Sequence, residues 1–276
     1  MCRLFGSRSQ VPGGVAHELL RGSNALREQS REHPDGWGLA WYLGDEPQVA
    51  RSLTPAHADD EFERVSDFVE AQTVVAHIRK ASVGRIALSN THPFQHGRWI
   101  FAHNGTVPLW NECAGSLTAL IDPGLRRELA GETDSERCFL LFLTHLSRRC
   151  DPEQADFFSA ARALTETVRD VFRVTAAPLR AAGSEAAPPS TTFLATDGRL
   201  MLACRRGRTL HVSAPPRDAR GCVPWFAVSS EDPTGKKATA GGTRAPWRDL
   251  PEDALVGVDK DLHLFQGSLD LGSANL

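Results

Sequence analysis

Length, composition and charge restrict the class of protein. The chain has 276 residues, of which 41% are hydrophobic and 24% are charged, a composition typical of globular rather than disordered proteins. Its formal net charge of −3 gives no overall attraction to nucleic acid or to an anionic membrane surface. No apolar run reaches the roughly 18 residues of a membrane span, and the first residues lack the apolar segment of a secretion signal. We therefore expect a cytoplasmic protein that binds neither nucleic acid nor membranes.

The predicted elements of the first half are short strands with one helix between them. Strands are predicted where short runs are apolar and rich in aromatic or β-branched residues, at 37–43, 73–78 and 99–103. Between the first two, Phe62, Val65, Phe68 and Val69 follow helical spacing.

The second half begins with two successive helices, predicted over 134–149 and 155–174. The Ala/Pro/Gly-rich stretch 176–189 is predicted to be a surface loop. The remainder is rich in strands: a hairpin turning at Asp197-Gly198, a further strand and a terminal hairpin, over 191–204, 223–229 and 255–265. This uneven order, without a change in composition that would divide the chain, predicts a single α+β domain.

The six cysteines do not form a metal or redox motif, because no two have C-x-x-C spacing. We expect most of them to be reduced and buried. Cys2 differs because it follows the initiator methionine, which is removed when the next residue is small. The mature chain would then begin with Cys2. Its α-amine, with a reference pKa of about 7.7–8.0, could accept the thiol proton directly or through one water.

Two further segments offer groups for acyl transfer. His103-Asn104-Gly105 comes at the end of a predicted strand, where Asn-Gly is usually a turn. The functional alternative is an oxyanion hole made by the asparagine amide and the glycine N–H. We expect Ser229 to Pro233 to lie near these groups and assign it no role.

Arg79 and Asp134 are candidates for binding an amino acid. Arg79 follows a predicted strand, where an arginine is ordinarily solvated or ion-paired, and Thr133 or Asp134 would ordinarily cap the helix that begins there. Alternatively, Arg79 would bind an α-carboxylate and Asp134 an α-ammonium. That arrangement would leave the side-chain carbonyl of the amino acid for Cys2.

Six sequence blocks occur in the order and approximate spacing of class II glutamine amidotransferases, which the chain resembles: CRLFG, HPDGWGLAWY, AHIRKAS, NTHPF, FAHNG and GETDSE. An ordered series is far more specific than a single motif. The blocks cover residues 2–136, and the resemblance is closest to the small stand-alone members, which include γ-glutamyl hydrolases of ergothioneine biosynthesis. It implies a four-layer αββα fold of the N-terminal-nucleophile hydrolases, with one domain over 2–276 after removal of Met1.

The resemblance also implies a role for each matching residue. Cys2 would be the nucleophile, with its α-amine as general base, and Asn104 and Gly105 would form the oxyanion hole. The substrate-binding residues would be Arg79, Ser82, His92 and Asp134. Larger members carry Trp-Ala-Thr-His-Gly where this chain has Lys-Ala-Ser-Val-Gly at 80–84, a difference that alters the side-chain part of the glutamine pocket. They also carry a synthase domain, for which the remaining residues are too few.

The implied activity is hydrolysis of the γ-amide of glutamine or of a γ-glutamyl compound through a Cys2 thioester, releasing glutamate and ammonia or an amine. Two alternatives stay open: a glutaminase subunit that passes ammonia to a separate synthase, and a non-catalytic scaffold that retains the fold. No cofactor or metal is expected. In particular, Pro93 between His92 and His96 argues against a helical zinc face.

Overall fold

Thirteen strands and six α-helices are present in the described residues of the computed structural model, which are 2–183, 187–235 and 245–271. The strands are β1 Arg3–Gly14, β2 Trp37–Leu43, β3 Glu46–Ser52, β4 Glu70–Ile78, β5 Phe94–His96, β6 Trp99–Thr106, β7 Ser190–Thr196, β8 Met201–Cys204, β9 His211–Ser213, β10 Trp225–Ser229, β11 Arg248–Asp249, β12 Ala254–Val258 and β13 Leu264–Ser268. The helices are α1 Leu26–Gln29, α2 Asp60–Phe68, α3 Trp110–Leu120, α4 Pro123–Arg126, α5 Asp134–Ser147 and α6 Phe157–Ala182.

The strands form two antiparallel sheets. One has seven strands in the order β11-β9-β10-β1-β4-β2-β3, and the other has six in the order β13-β12-β8-β7-β6-β5. The first strand of the chain lies at the centre of the seven-stranded sheet, between β10 and β4. The residues just before β1 are therefore held next to the ends of two neighbouring strands.

Alternation along β1 separates two cores, because successive side chains of a strand point to opposite faces. Leu4 packs between the sheets with Val75 of β4 and Leu194 of β7. Phe5 points the other way and packs with Leu19 and Phe62, which cover the outer face of the seven-stranded sheet.

A second helical layer covers the outer face of the six-stranded sheet. Phe101 of β6 and Phe193 of β7 pack there against apolar residues of α5 and α6. The Phe101 ring stacks on Phe139 of α5 with ring centroids 5.3 Å apart. The layers follow in the order α-β-β-α, so the predicted four-layer, single-domain α+β fold is confirmed. No helix in the described ranges is long and apolar enough to cross a membrane.

The predicted surface loop at 176–189 is wrong for its first half. Helix α6 continues to Ala182, with Pro178 inside it, and ends at Gly183, whose φ is +79°. Alanine, leucine and arginine around Pro178 favour the helix, and glycine with positive φ is a common helix terminator. Residues 184–186 of the predicted loop lie outside the described residues.

Candidate active site

Cys2 lies beside the backbone at the end of β4. Pairing of Arg3 with Ile78 brings it to the segment that follows β4, where the Lys80 N–H donates to Sγ at 3.4 Å and the thiol faces Lys80 O at 3.5 Å. Burial raises the pKa of the Cys2 thiol, while the Lys80 N–H and the Arg79 charge act in the opposite direction. A thiol with a raised pKa needs a base before it can act as a thiolate nucleophile.

The segment after β4 is fixed by the loop that precedes β2. Arg79 N donates to Gly36 O at 2.8 Å, and Asp35 N donates to Arg79 O at 3.0 Å. The Asp35 carboxylate accepts a further bond from Ala81 N at 2.7 Å. These three bonds hold the Lys80 N–H at a defined place next to the Cys2 sulphur.

The Arg79 guanidinium is buried, with only 3% of the residue exposed. It donates to the carbonyls of Val83, Gly84 and Arg85 at 3.1–3.3 Å and so shapes the loop after β4. Burial lowers the pKa of Arg79, and the Cys2 and Asp134 side chains oppose this effect. An arginine remains charged after such a shift, so the site contains a buried cation. A guanidinium has five N–H groups, and the three bonds to carbonyls leave some of them for an anion.

Asn104 and Gly105 lie within β6, paired with Thr192 and Thr191 of β7. Asn104 is buried, and its Nδ2 donates to the Ser230 hydroxyl at 3.1 Å. An amide nitrogen has two hydrogens, so one remains for another acceptor. A Cβ at Gly105 would lie 2.0 Å from Ser190 O, so only glycine fits there.

Asp134 is the first residue of α5, and the helix is capped by Thr133, whose Oγ1 accepts from Glu136 N. Asp134 is free from capping and joins the helix to the end of β6, because its Oδ2 accepts from Val107 N at 2.7 Å. Its Oδ1 accepts from Ser135 N at 2.8 Å. No ion pair within 4 Å in the described part of the chain involves Asp134, which leaves its charge available to a cationic ligand.

The other two predicted substrate residues occupy different surroundings. Ser82 is exposed, and its hydroxyl lies 3.3 Å from that of Thr106, next to Gly105. His92 lies in the interior, with its ring centroid 4.2 Å from that of the tilted His77 ring and 4.6 Å from that of Phe94, which it meets edge-on. Burial lowers the pKa of His92, so the ring is neutral. No hydrogen bond of the described residues connects it to Cys2 or Arg79.

Sequence reasoning assigned no role to two polar groups of this region. His103 is buried, and its Nε2 donates to Ser190 O at 2.9 Å while Nδ1 lies 2.9 Å from the Ser135 hydroxyl. Ser135 in turn lies 3.1 Å from Asp134 Oδ1. The blocks FAHNG and GETDSE contain both residues, but their contact depends on how α5 packs on β6. The second is the Ser230 hydroxyl, which belongs to the segment 229–233 that was expected near the site without a role.

Among the described residues, one group of side chains is close enough to hold a metal: Asp259, Asp261 and His263, in the turn between β12 and β13. Asp259 Oδ1 accepts from the backbone N–H groups of Asp261 and His263 at 2.9 Å. These bonds are those of a tight turn, and none of the candidate site residues belongs to the group.

A model of the class II glutamine amidotransferases matches residues 1–216. The chain belongs to this family. YafJ of Escherichia coli, whose name describes it as a glutamine amidotransferase, is 33% identical over 154 residues, or 54% of this chain and 56% of YafJ. DUG3 of Saccharomyces cerevisiae, also named as a glutamine amidotransferase, is 27% identical over 98% of this chain and 85% of its own.

A third relative carries a more specific name. The γ-glutamyl-hercynylcysteine sulfoxide hydrolase of Mycobacterium tuberculosis is 39% identical over 118 residues, which cover 39% of this chain and 50% of that protein. The matched regions thus span about half the length of this relative and of YafJ.

Solved structures of class II amidotransferases share the fold. A class II domain protein from Silicibacter pomeroyi superposes with a TM-score of 0.65 at 19% identity, covering 97% of this chain and 99% of that one. The phosphoribosylpyrophosphate amidotransferase of Bacillus subtilis gives a TM-score of 0.59 at 14% identity, covering 98% of this chain and 50% of that one. At such identities the likeness concerns the fold alone.

Proposed function

We propose that the chain is an amidohydrolase that cleaves the γ-amide of glutamine or of a γ-glutamyl compound through a Cys2 thioester. The observation that supports this best is that the Cys2 thiol is influenced by one positive and one negative buried side chain. The Cys2 sulphur contacts the Lys80 N–H, and the Arg79 cation lowers the pKa of the Cys2 thiol while the Asp134 anion raises it.

The proposed chemistry begins with removal of Met1, which frees the α-amine of Cys2. That amine takes the thiol proton, and the thiolate attacks the γ-carbonyl carbon. The carbonyl oxygen becomes an oxyanion that accepts from the second Nδ2 hydrogen of Asn104 and from the Gly105 N–H. When the tetrahedral intermediate collapses, the C–N bond breaks and the protonated α-amine returns its proton to the leaving nitrogen. Water then hydrolyses the thioester and glutamate departs.

The glutamyl end of the substrate would be held by its two charges. Arg79 would bind the α-carboxylate through its remaining N–H groups, and Asp134 would bind the α-ammonium. The hydroxyl of Ser82, beside Thr106, would contact the substrate near Gly105. This arrangement selects an α-amino acid whose side chain reaches Cys2.

Two substrate choices follow from this site. A γ-glutamyl amide with a larger leaving amine is favoured by the name of the Mycobacterium tuberculosis relative, a γ-glutamyl hydrolase. The second candidate, a glutaminase subunit that supplies ammonia to a separate synthase, would use the same residues with glutamine. A non-catalytic scaffold has no need for the buried Arg79 and Asp134 charges. Location in the cytoplasm remains a prediction.

The test is the intact mass of purified protein before and after reaction with 6-diazo-5-oxo-norleucine, a glutamine-like electrophile. We expect a chain without Met1 that gains one adduct, and no adduct in Cys2→Ala. Release of glutamate from glutamine and from γ-glutamyl amides is then measured on the same samples. Turnover by Cys2→Ala at the wild-type rate would overturn the mechanism, and turnover of glutamine alone, only with a synthase present, would favour the second candidate.

A further inference from the structure

The hydroxyl of Ser230 connects β1, the strand that follows Cys2, to Asn104 of the proposed oxyanion hole. Ser230 follows β10, and its buried Oγ accepts from Leu4 N at 3.0 Å and from Asn104 Nδ2 at 3.1 Å. Leu4 belongs to the seven-stranded sheet and Asn104 to the six-stranded sheet. The Ser230 Oγ therefore bridges the two sheets. It contacts β1 at Leu4, two residues after Cys2.

Ser230 is itself fixed by its backbone. Its N–H donates to Leu4 O at 2.9 Å, and its carbonyl accepts from the Thr209 hydroxyl at 2.9 Å. These bonds fix the backbone of Ser230, and a rotation of its side chain would break the bond from Leu4 N to the hydroxyl. The position of the Ser230 hydroxyl relative to β1 is thus determined by the seven-stranded sheet.

The bond from Asn104 restricts an otherwise mobile group. The terminal torsion of an asparagine side chain has a broad energy profile, so the plane of the amide is set by its hydrogen bonds. With one Nδ2 hydrogen bonded to Ser230 Oγ, the direction of the second is fixed. No other hydrogen bond to the Asn104 side chain is present in the described chain, and its buried Oδ1 has no partner.

We propose that Ser230 is a positioning residue that aims the free Nδ2 hydrogen of Asn104 at the oxyanion. The inference rests on the proposed function of Asn104. An oxyanion forms only on the way to the transition state, so its alignment affects kcat rather than KM. Loss of a donor costs about 10²–10³-fold in kcat. A donor that is present but misdirected should cost less, and we expect Ser230→Ala to lower kcat by about 10–100-fold with little change in KM.

A double-mutant cycle tests whether Ser230 acts through Asn104. If it does, Ser230→Ala adds nothing once the amide is absent, and Ser230→Ala/Asn104→Ala has the kcat of Asn104→Ala alone. The matched control is Ser229→Ala, which removes a neighbouring buried hydroxyl without touching the bonds to Leu4 or Asn104. We expect wild-type kcat from that control.

A second variant changes an exposed residue in place of the buried Ser230. Thr209 is exposed, so Thr209→Val should fold while removing the donor to Ser230 O. We expect a kcat decrease of a few-fold that disappears in the Asn104→Ala background. This result carries the test even if Ser230→Ala does not fold.

A readout without turnover uses the side-chain amide resonances of Asn104, identified in a ¹H–¹⁵N spectrum by their absence in Asn104→Ala. They should shift in Ser230→Ala and stay in place in Ser229→Ala. Unmoved resonances, wild-type kcat, a change in KM alone, or additive effects with Asn104→Ala would each overturn the proposal for Ser230. If the wild-type protein hydrolyses no γ-glutamyl amide, the proposed function fails, and the resonances still decide whether Ser230 orients Asn104.

Discussion

The backbone N–H of Lys80 lies 3.4 Å from the sulphur of Cys2. Lys80 follows the end of β4 and Cys2 precedes β1, and the two residues meet because the strands are antiparallel, so that the start of β1 lies beside the end of β4. The contact favours the thiolate, but burial outweighs it, and the pKa of the Cys2 thiol is raised. We therefore expect catalysis to depend on an added base.

That base is testable by blocking the α-amine. A chain carrying an uncleaved N-terminal extension should be at least 10²-fold slower than the same chain after cleavage to a free Cys2, since general-base catalysis contributes about 10²–10⁴-fold. Glutamate release from a γ-glutamyl amide is the measurement, with Cys2→Ala after cleavage as the inactive control. Equal rates before and after cleavage would exclude the α-amine as base.

Removal of the Asn104 amide tests the oxyanion hole. We predict that Asn104→Ala lowers kcat by about 10²–10³-fold, because one of two donors to the oxyanion is lost. The melting temperature should change little if the fold is kept, and its measurement separates the catalytic effect from unfolding. A variant that keeps the wild-type kcat would show that Asn104 does not stabilise the transition state.

Neutralisation of Asp134 tests ammonium binding. Asp134→Asn keeps the size and one oxygen, which can still accept from Val107 N, but it removes the charge and the acceptor of the Ser135 N–H. We expect a KM increase for γ-glutamyl amides of about tenfold or more, because a hydrogen bond to a charged group contributes about 1.5–3 kcal/mol. Glu132→Gln, in the same loop but with an exposed side chain, is the control. A KM that stays at the wild-type value in Asp134→Asn would remove this residue from the substrate site.

Buried histidines make the stability of the fold dependent on pH. Burial lowers the pKa of His77 to about 3 and that of His33 to about 4, so both are neutral in the folded protein. In the unfolded chain they titrate near 6.5, so below that pH the unfolded state binds protons that the folded state does not. The free energy of unfolding should be highest above pH 6.5. It should fall toward pH 4 by about 1.4 kcal/mol per pH unit for each histidine.

Urea unfolding at several pH values between 4.5 and 7.5 measures this slope. Replacement of His77 by glutamine should make it shallower. Replacement of the exposed His17 by glutamine serves as the control and should leave the slope as it is. An unchanged slope in His77→Gln would mean that His77 does not contribute to the pH dependence.

Gly115 provides a prediction about the fold alone. It is exposed in helix α3, and a Cβ there would meet no atom within 4 Å. Gly115→Ala should therefore raise the free energy of unfolding by about 0.5–1 kcal/mol. Gly105→Ala should lower it, because its Cβ would lie 2.0 Å from Ser190 O. Urea denaturation of both variants checks the pair, and a stable Gly105→Ala would contradict the close packing of β6 on β7.

Local pattern was sufficient for several elements and misleading for others. The hairpin at Asp197-Gly198 was predicted because the glycine allows the positive φ of the turn. Asn104-Gly105 is usually a turn signal, yet both residues lie in β6, since pairing with Thr191 and Thr192 overrides local preference. Pro178 indicated a loop but lies within α6, where the surrounding helix formers and an amphipathic face maintain the helix.

The sequence by itself determined the family and the candidate residues Cys2, Arg79, Asn104, Gly105 and Asp134, because short ordered motifs preserve the residue types that a reaction needs. It also predicted the four layers through the resemblance those motifs carry. Only the tertiary structure decided that Ser230 bonds both Leu4 and Asn104, which are 226 and 126 positions away in the chain. It also decided that His92 is buried against His77. Such contacts depend on how the two sheets pack. Hydrophobic periodicity and local propensity carry no information about contacts between residues so far apart in the chain.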